Sequence, residues 1–340
     1  MSFWIETEDW HTAGEPFRIV QNLPLGHLPH GETVSQRRLT VLNTPNHPLD
    51  QLRRSLCHEP RGHADMYGGF INPPNDNGAH FGVLFWHKDG FSTACGHGTM
   101  ALGYWAVTEG LVEVPEEGNV DVVVDVPSGR VVAKIAVMNG KPVHVDFINV
   151  KSYQIAKDLS VNIPSRKVDV KVDLSFGGAV YATIDASQLG LTVEPSEYIK
   201  FIDLGREIKA SLGTRAHYNT YDLYGVIFYN EESIGPAGEV RQRNVTVFAD
   251  GQIDRSPCGS GTAARVAVLL AEGRLGAGKG KLLHRSIINT VFEADIVSEE
   301  ESPVEFPACI PRVRGTAHLV GRMNFFIDPE DSVFPGFLLR

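Results

Sequence analysis

The phrase Cys-Gly-x-Gly-Thr occurs twice in this chain, as Cys95-Gly96-His97-Gly98-Thr99 and as Cys258-Gly259-Ser260-Gly261-Thr262. The two cysteines stand 163 residues apart (258 minus 95) in a chain of 340. Both copies continue into an apolar stretch and reach Glu-Gly, at Glu109-Gly110 and Glu272-Gly273. A repeat close to half the chain length predicts two similar halves facing each other. Each half then presents one thiol in the same way, at the seam between them. Two thiols so placed suit the removal of a proton from one face of a carbon and its return on the other.

The residues around each cysteine support that chemistry. The first four amides of a helix have no internal partner, and glycines let a ligand come close to them. The same end is electropositive, so it attracts a carboxylate and lowers the pKa of a thiol placed there. One such turn offers a base beside an anion cradle. Two opposed turns hold one carboxylate and flank its α-carbon with sulfur, one as thiolate and one as thiol. Cys57 and Cys309 lack this context and read as inert structural thiols.

The elements that must position these turns are legible in outline. Met100–Glu109 and Ala263–Glu272 are apolar on nearly every side, as a helix enclosed by other structure is. Short segments rich in Val, Ile and Phe recur with Gly, Pro and Asn between them. Val120–Val126, Val131–Val137, Val143–Ile148, Tyr224–Tyr229 and Asn244–Ala249 read as strands, and Lys167–Leu174 alternates as a strand does. Each half is expected to be a strand-rich layer around one central helix. Ser196–Leu212 reads as an amphipathic surface helix, 150–164 as the crossover between halves, and Pro303–Pro311 as an irregular excursion.

Composition sets the outer limits. Hydrophobic content of 42% and charged content of 21% are those of a globular chain. A net charge of −10 argues against a broad nucleic-acid or anionic-membrane surface. There is no apolar run long enough for a transmembrane helix and no pattern of a secretory signal at the start. Four cysteines without a Cys-x-x-Cys pair do not make a disulfide framework, and a reducing cytoplasm fits them best. Gly259-Ser260-Gly261-x-x-Ala264 matches a dinucleotide fingerprint formally, but Asp254-Arg255-Ser256-Pro257 intervenes where an apolar strand should lead in. His58, His63, His80 and His87 lack a compact metal-ligand spacing. A cysteine hydrolase, or a silent carboxylate-binding protein, remains an alternative on the residues alone.

Four blocks together resemble the proline racemase family: His11-Thr12-Ala13-Gly14-Glu15-Pro16, Gly62-His63-Ala64-Asp65-Met66-Tyr67-Gly68, Cys95-Gly96-His97 and Asp254-Arg255-Ser256-Pro257-Cys258-Gly259. Ala13 stands where the family usually has glycine. The family includes proline racemases, hydroxyproline 2-epimerases and trans-3-hydroxyproline dehydratases. The resemblance implies an α+β fold like that of diaminopimelate epimerase. In that fold two pseudo-symmetric α/β halves each curl a mostly antiparallel sheet around a buried helix. It implies a half 1–150 carrying Cys95, joined by a returning segment 324–340, and a half 151–323 carrying Cys258, with the site in the cleft between them.

The resemblance further implies catalysis by Cys95 and Cys258 without metal or other cofactor, on a small cyclic amino acid. The amides of Gly96, Gly259 and Ser260 would hold the carboxylate, and His97 and Asp254 would contact the ring amine. Tyr67, Phe85 and Phe248 are wall candidates. The family contains dimers, and a homodimer is compatible with this chain. Family dehydratases typically carry threonine at the second cysteine position, so Cys258 points to 1,1-proton transfer. Phe248 matches a position that is aromatic in proline racemases, which places proline first, trans-4-hydroxyproline second and 3-hydroxyproline dehydration third. The text around Phe81–His97 reads like dehydratase members and keeps the third alternative open.

Overall fold

A computed structural model describes residues 1–232, 235 and 238–339. The chain divides into two compact units, 1–145 with 316–340, and 146–315. The division therefore falls within strand Lys141–Ile148 rather than at 150, and the return begins at Thr316 rather than at 324. Arg340, the last residue of the expected returning segment, lies outside the described residues.

In the first unit the strands lie in the order Ala317–Ile327, Phe3–Thr12, Glu15–Val20, Gly68–Asn72, Phe81–His87, Glu117–Val126, Gly129–Met138. Neighbours are antiparallel except at two places, Glu15–Val20 beside Gly68–Asn72 and Phe81–His87 beside Glu117–Val126. A parallel pair cannot be joined by a hairpin and needs a long crossover. The first crossover holds α1 (Val34–Asn43) and α2 (Pro48–Cys57), and the second holds α3 (Gly96–Thr108).

The second unit repeats this plan. Its order is Ser152–Ile163, Val168–Phe176, Val180–Asp185, Leu223–Glu231, Val240–Phe248, Leu282–Ser286, Val291–Glu300, Ala308–Gly315. The ring closes where Ala308 and Cys309 pair with Tyr153 and Ser152. The two parallel neighbours are again separated by crossovers, one holding α4 (Tyr198–Leu212) and one holding α5 (Gly259–Ala271).

This shared plan explains two departures from the sequence reading. The stretch 150–164, read as a crossover, is a strand that flanks Val168–Phe176. In the first unit the same flanking place beside Phe3–Thr12 is filled by the C-terminal strand Ala317–Ile327. Strand Ala308–Gly315 likewise begins inside the expected excursion, with Pro311 within it.

The interior helices follow from composition. Residues Gly96 to Val107 of α3 and Gly259 to Leu270 of α5 are all buried. Around α3 pack Phe3–Thr12, Glu15–Val20, Glu117–Val126, Gly129–Met138 and Ala317–Ile327. Around α5 pack Ser152–Ile163, Val168–Phe176, Val180–Asp185, Val291–Glu300 and Ala308–Gly315. A helix without a polar face is stable only when enclosed. In α4, by contrast, Phe201, Leu204, Ile208 and Leu212 are buried at helical spacing, which gives one packed face and one wet face. Helices α1 and α2 were not read from the sequence. Their signals are a capping box from Thr33 to Gln36 and a proline at the first turn, Pro48.

Candidate active site

Each interior helix begins at one of the repeated cysteines. Cys95 is the N-cap of α3, with extended backbone (φ −155°, ψ 101°). Its Sγ accepts the Gly98 N–H at 3.2 Å. Its carbonyl accepts the Thr99 N–H at 3.0 Å and the Thr99 hydroxyl at 2.8 Å. Gly98 has to be glycine: a Cβ there would collide with Phe17 Cε2 and lie 2.8 Å from Cys95 Sγ. The sulfur thus rests directly on the first turn of the helix.

His97 is buried, with ring nitrogens 3.4 and 3.6 Å from Cys95 Sγ. Burial lowers its pKa to about 3, against a hydrogen bond to the Pro16 carbonyl that pulls the other way, so the ring is neutral near pH 7. Thr12 donates its hydroxyl to the His97 carbonyl at 2.8 Å. The Tyr67 ring meets His97 edge-on at 5.0 Å, and its hydroxyl is hydrogen-bonded to Ser92. Phe17 stands edge-on to His97 at 5.9 Å, and Phe85 stands edge-on to Phe17 at 6.0 Å. Tyr67 therefore lines the turn, while Phe85 is one ring further out. Phe17 was missed because nothing local in the sequence distinguishes it from other strand phenylalanines.

The second turn has the same residues and a different backbone. Cys258 is the N-cap of α5 with φ +65°, a left-handed conformation uncommon outside glycine, and its side chain makes no capping bond. A Cβ at Gly261 would lie 2.8 Å from Cys258 Sγ, matching Gly98 and Cys95. Ahead of it, Asp254 Oδ1 accepts the Ser256 N–H at 2.8 Å and the Ser256 hydroxyl at 2.7 Å. Ser256 Oγ in turn accepts the Cys258 N–H at 3.0 Å.

Burial raises the Cys258 thiol well above its ordinary value, and the Asp254 carboxylate adds to this; the Gly261 amide and the Tyr181 hydroxyl oppose it. Burial also pushes the Asp254 carboxyl up, opposed by its bonds from Ser256 and Cys258. The Asp254 carboxylate makes the Cys258 thiol harder to ionise, whereas the bond from Cys258 makes Asp254 easier to ionise.

Ser260 Oγ is hydrogen-bonded to the Tyr181 hydroxyl at 2.7 Å, and that hydroxyl is 3.9 Å from Cys258 Sγ. Tyr181 stands edge-on to Tyr224 at 5.8 Å, and Tyr224 stacks on Phe248 at 5.7 Å. Phe248 thus belongs to the aromatic wall that begins at Cys258, two rings away. Tyr181 is the nearest side chain of that wall, and it was not singled out because its strand lies 77 residues before the cysteine.

The remaining candidates fall elsewhere. Cys57 and Cys309 are buried, with pKa pushed up to about 12 mainly by desolvation. None of the four cysteines forms a disulfide. No group of His, Cys, Asp and Glu among the described residues could hold a metal ion. No helix among them is long and apolar enough to cross a membrane. A cavity of about 410 Å³ in the first unit is lined by Glu6, Glu8, Trp105, Glu109 and Arg322, at the other end of α3 from Cys95.

The chain belongs to the proline racemase family, whose model, described as proline racemase, matches residues 8–338. It is 40% identical to the trans-3-hydroxy-L-proline dehydratase of Burkholderia cenocepacia, over 99% of this chain and 98% of that protein. It is 37% identical to the proline racemase of Acetoanaerobium sticklandii, over 98% of each. Among solved structures, a hydroxyproline epimerase from Agrobacterium vitis with bound trans-4-OH-L-proline superposes with a TM-score of 0.88 at 27% identity. That match covers 99% of this chain and 96% of the other.

Proposed function

We propose that this protein is a cofactor-independent proline racemase in which Cys95 and Cys258 act on the α-carbon of one substrate. The observation that carries the reading is the duplicated cap. Each of two interior helices starts at a cysteine whose sulfur lies against the glycine three residues on. The first amides of α3 and α5, from Gly96, Gly259 and Ser260, supply the carboxylate cradle, and the helix ends favour its negative charge.

Cys95 thiolate takes the α-proton, its S–H bond forming as the C–H bond breaks. The electron pair delocalises into the carboxylate, where the helix amides stabilise it. Cys258 then gives its thiol proton to the opposite face and becomes the thiolate. In the reverse direction the roles exchange. Burial and the Asp254 carboxylate favour the thiol form of Cys258 before substrate arrives, which suits it to be the first acid. The neutral His97 ring and the Asp254 carboxyl are the groups offered to the ring amine.

A second reading, dehydration of trans-3-hydroxy-L-proline, is favoured by the relatives that carry that name at up to 40% identity. It needs α-proton removal and loss of the ring hydroxyl, but no thiol to reprotonate the opposite face. Epimerisation of trans-4-hydroxy-L-proline uses the same two thiols, and the Tyr67–Ser92 hydroxyl pair is a candidate partner for its ring hydroxyl.

Proton NMR in deuterium oxide separates the three. With L-proline the α-proton signal should vanish with the ring intact, faster than with either hydroxyproline. Faster loss from trans-4-hydroxy-L-proline would make the protein an epimerase. A dehydrated cyclic imine from the 3-hydroxy substrate would make it a dehydratase. Cys258→Ser should abolish racemisation, and a fully active variant would overturn the two-base scheme.

A further inference from the structure

The two cysteine turns share a sequence but not a conformation. Cys95 is extended and its sulfur accepts the Gly98 N–H at 3.2 Å, whereas Cys258 sits at φ +65°. A left-handed backbone at a residue other than glycine is strained and persists only where the surroundings impose it. The cause is visible in the peptide between Pro257 and Cys258, because both of its polar groups are held. Its N–H donates to Ser256 Oγ at 3.0 Å, and Ser256 is fixed by Asp254. Its C=O lies 3.0 Å from the Thr262 hydroxyl, which also lies 2.8 Å from His284 Nδ1.

One hydroxyl hydrogen must serve those last two contacts, and this decides its direction. If Thr262 donated to His284 Nδ1, its oxygen would face the Pro257 carbonyl as acceptor against acceptor. His284 Nε2 would then carry a hydrogen with no partner, because that atom is buried and unbonded. An orphaned buried donor is rarer than an orphaned acceptor. The consistent arrangement is His284 Nδ1–H donating to Thr262 Oγ, and Thr262 O–H donating to the Pro257 carbonyl. Both residues are fully buried. In the first turn the matching threonine, Thr99, bonds instead to the carbonyl of Cys95 itself.

We propose that Thr262 and His284 are positioning residues for Cys258. With Asp254 and Ser256 on the other side, they clamp the Pro257–Cys258 peptide and hold the cysteine in the left-handed conformation that aims its thiol. The proposal rests on the reading of Cys258 as an acid/base group. His284 reaches this role from strand Leu282–Ser286, parallel to Val240–Phe248, through its contact with Thr262.

The test compares paired variants of the whole protein, with melting curves to confirm folding. Thr262→Val keeps the shape and removes the hydroxyl, and Thr262→Ser restores it. His284→Leu removes the donor, and His284→Asn keeps a donor near the Nδ1 position. Thr262→Val and His284→Leu should lower kcat about 10–100-fold, as a sub-ångström to 1 Å misplacement does, with KM within about twofold. Thr262→Ser and His284→Asn should recover most of the rate.

Peptide-resolved labelling with iodoacetamide should change at Cys258 and not at Cys95, which serves as the internal reference and needs no substrate. Equal rates for Thr262→Val and wild type overturn the clamp. If the valine variant does not fold, equal rates for His284→Leu and His284→Asn overturn it. A fully active Cys258→Ser would instead remove the underlying reading, so the two failures are distinct.

Discussion

Gly98→Ala and Gly103→Ala introduce the same methyl group into the same buried helix, yet only one of them presses on the sulfur. At Gly98 the new Cβ would lie 2.8 Å from Cys95 Sγ and collide with Phe17 Cε2; at Gly103 it would lie 2.7 Å from Ala133 Cβ and from Ile135 Cδ1. Comfortable contact needs roughly 3.5–4.0 Å, so Cys95 Sγ or the Gly103 neighbours must move by about 0.7–1.3 Å, and the Phe17 ring by somewhat more. Overpacking of this kind costs about 1–3 kcal/mol, and the helix preference for alanine over glycine returns up to about 1 kcal/mol. Both variants should therefore lose about 0–3 kcal/mol in chemical denaturation.

Their catalysis should diverge. A 1 Å displacement of a reacting group costs about 100-fold, so Gly98→Ala should lose that much kcat, while Gly103→Ala stays within about threefold of wild type. Gly261→Ala, whose Cβ would lie 2.8 Å from Cys258 Sγ, should behave as Gly98→Ala does. The assay is optical rotation of L-proline approaching the racemate, beside denaturation curves of each variant. Equal kcat for Gly98→Ala and Gly103→Ala would refute the idea that sulfur position at the helix cap sets the rate.

Replacing Asp254 by Asn removes a negative charge that opposes ionisation of Cys258, so alkylation of Cys258 near pH 8 should become faster while Cys95 is unaffected; a slower reaction would contradict the assigned repulsion. His97 and His284 both have pKa lowered to about 3 from 6.5. The unfolded chain therefore binds more protons between those limits, and each histidine should reduce stability by about 1.4 kcal/mol per pH unit as pH falls below 6.5. Denaturation at pH 7 and pH 5 measures this, and His284→Asn should show a shallower fall than wild type. Leu269→Ala empties a fully buried place in α5 and should cost about 2–5 kcal/mol in urea unfolding; a cost below about 1 kcal/mol would mean that the helix is less tightly enclosed. Tyr67→Phe removes the hydroxyl bonded to Ser92, and the ratio of kcat/KM for proline to that for trans-4-hydroxyproline should rise only if that hydroxyl meets the substrate ring.

Much of the candidate site was legible in the order of residues. Residue type and spacing suffice to find two thiols at two helix starts, because capping is a local arrangement and Gly98 and Gly261 stand where a side chain would strike the sulfur. The enclosure of α3 and α5 was legible too, since neither has a polar face. Strand 152–163 was misread as a crossover, because a strand at that place is defined by partners it meets at 168–176 and 308–309. Helix α1 escaped notice because its apolar spacing is weak and its cap carries the signal, whereas α2 has Leu49, Leu52, Leu56 and Cys57 buried at helical spacing that the sequence reading passed over.

Only the tertiary structure decided that the two cysteines differ. The left-handed conformation of Cys258 comes from a carboxylate four residues before it, a threonine four residues after it and a histidine on another strand. The aromatic wall beside it, Tyr181, Tyr224 and Phe248, is gathered from three strands. Its raised pKa comes from burial, which no single stretch of sequence states. Sequence determines what a local segment can do, whereas protonation state and backbone strain are set by neighbours that the fold brings from far along the chain.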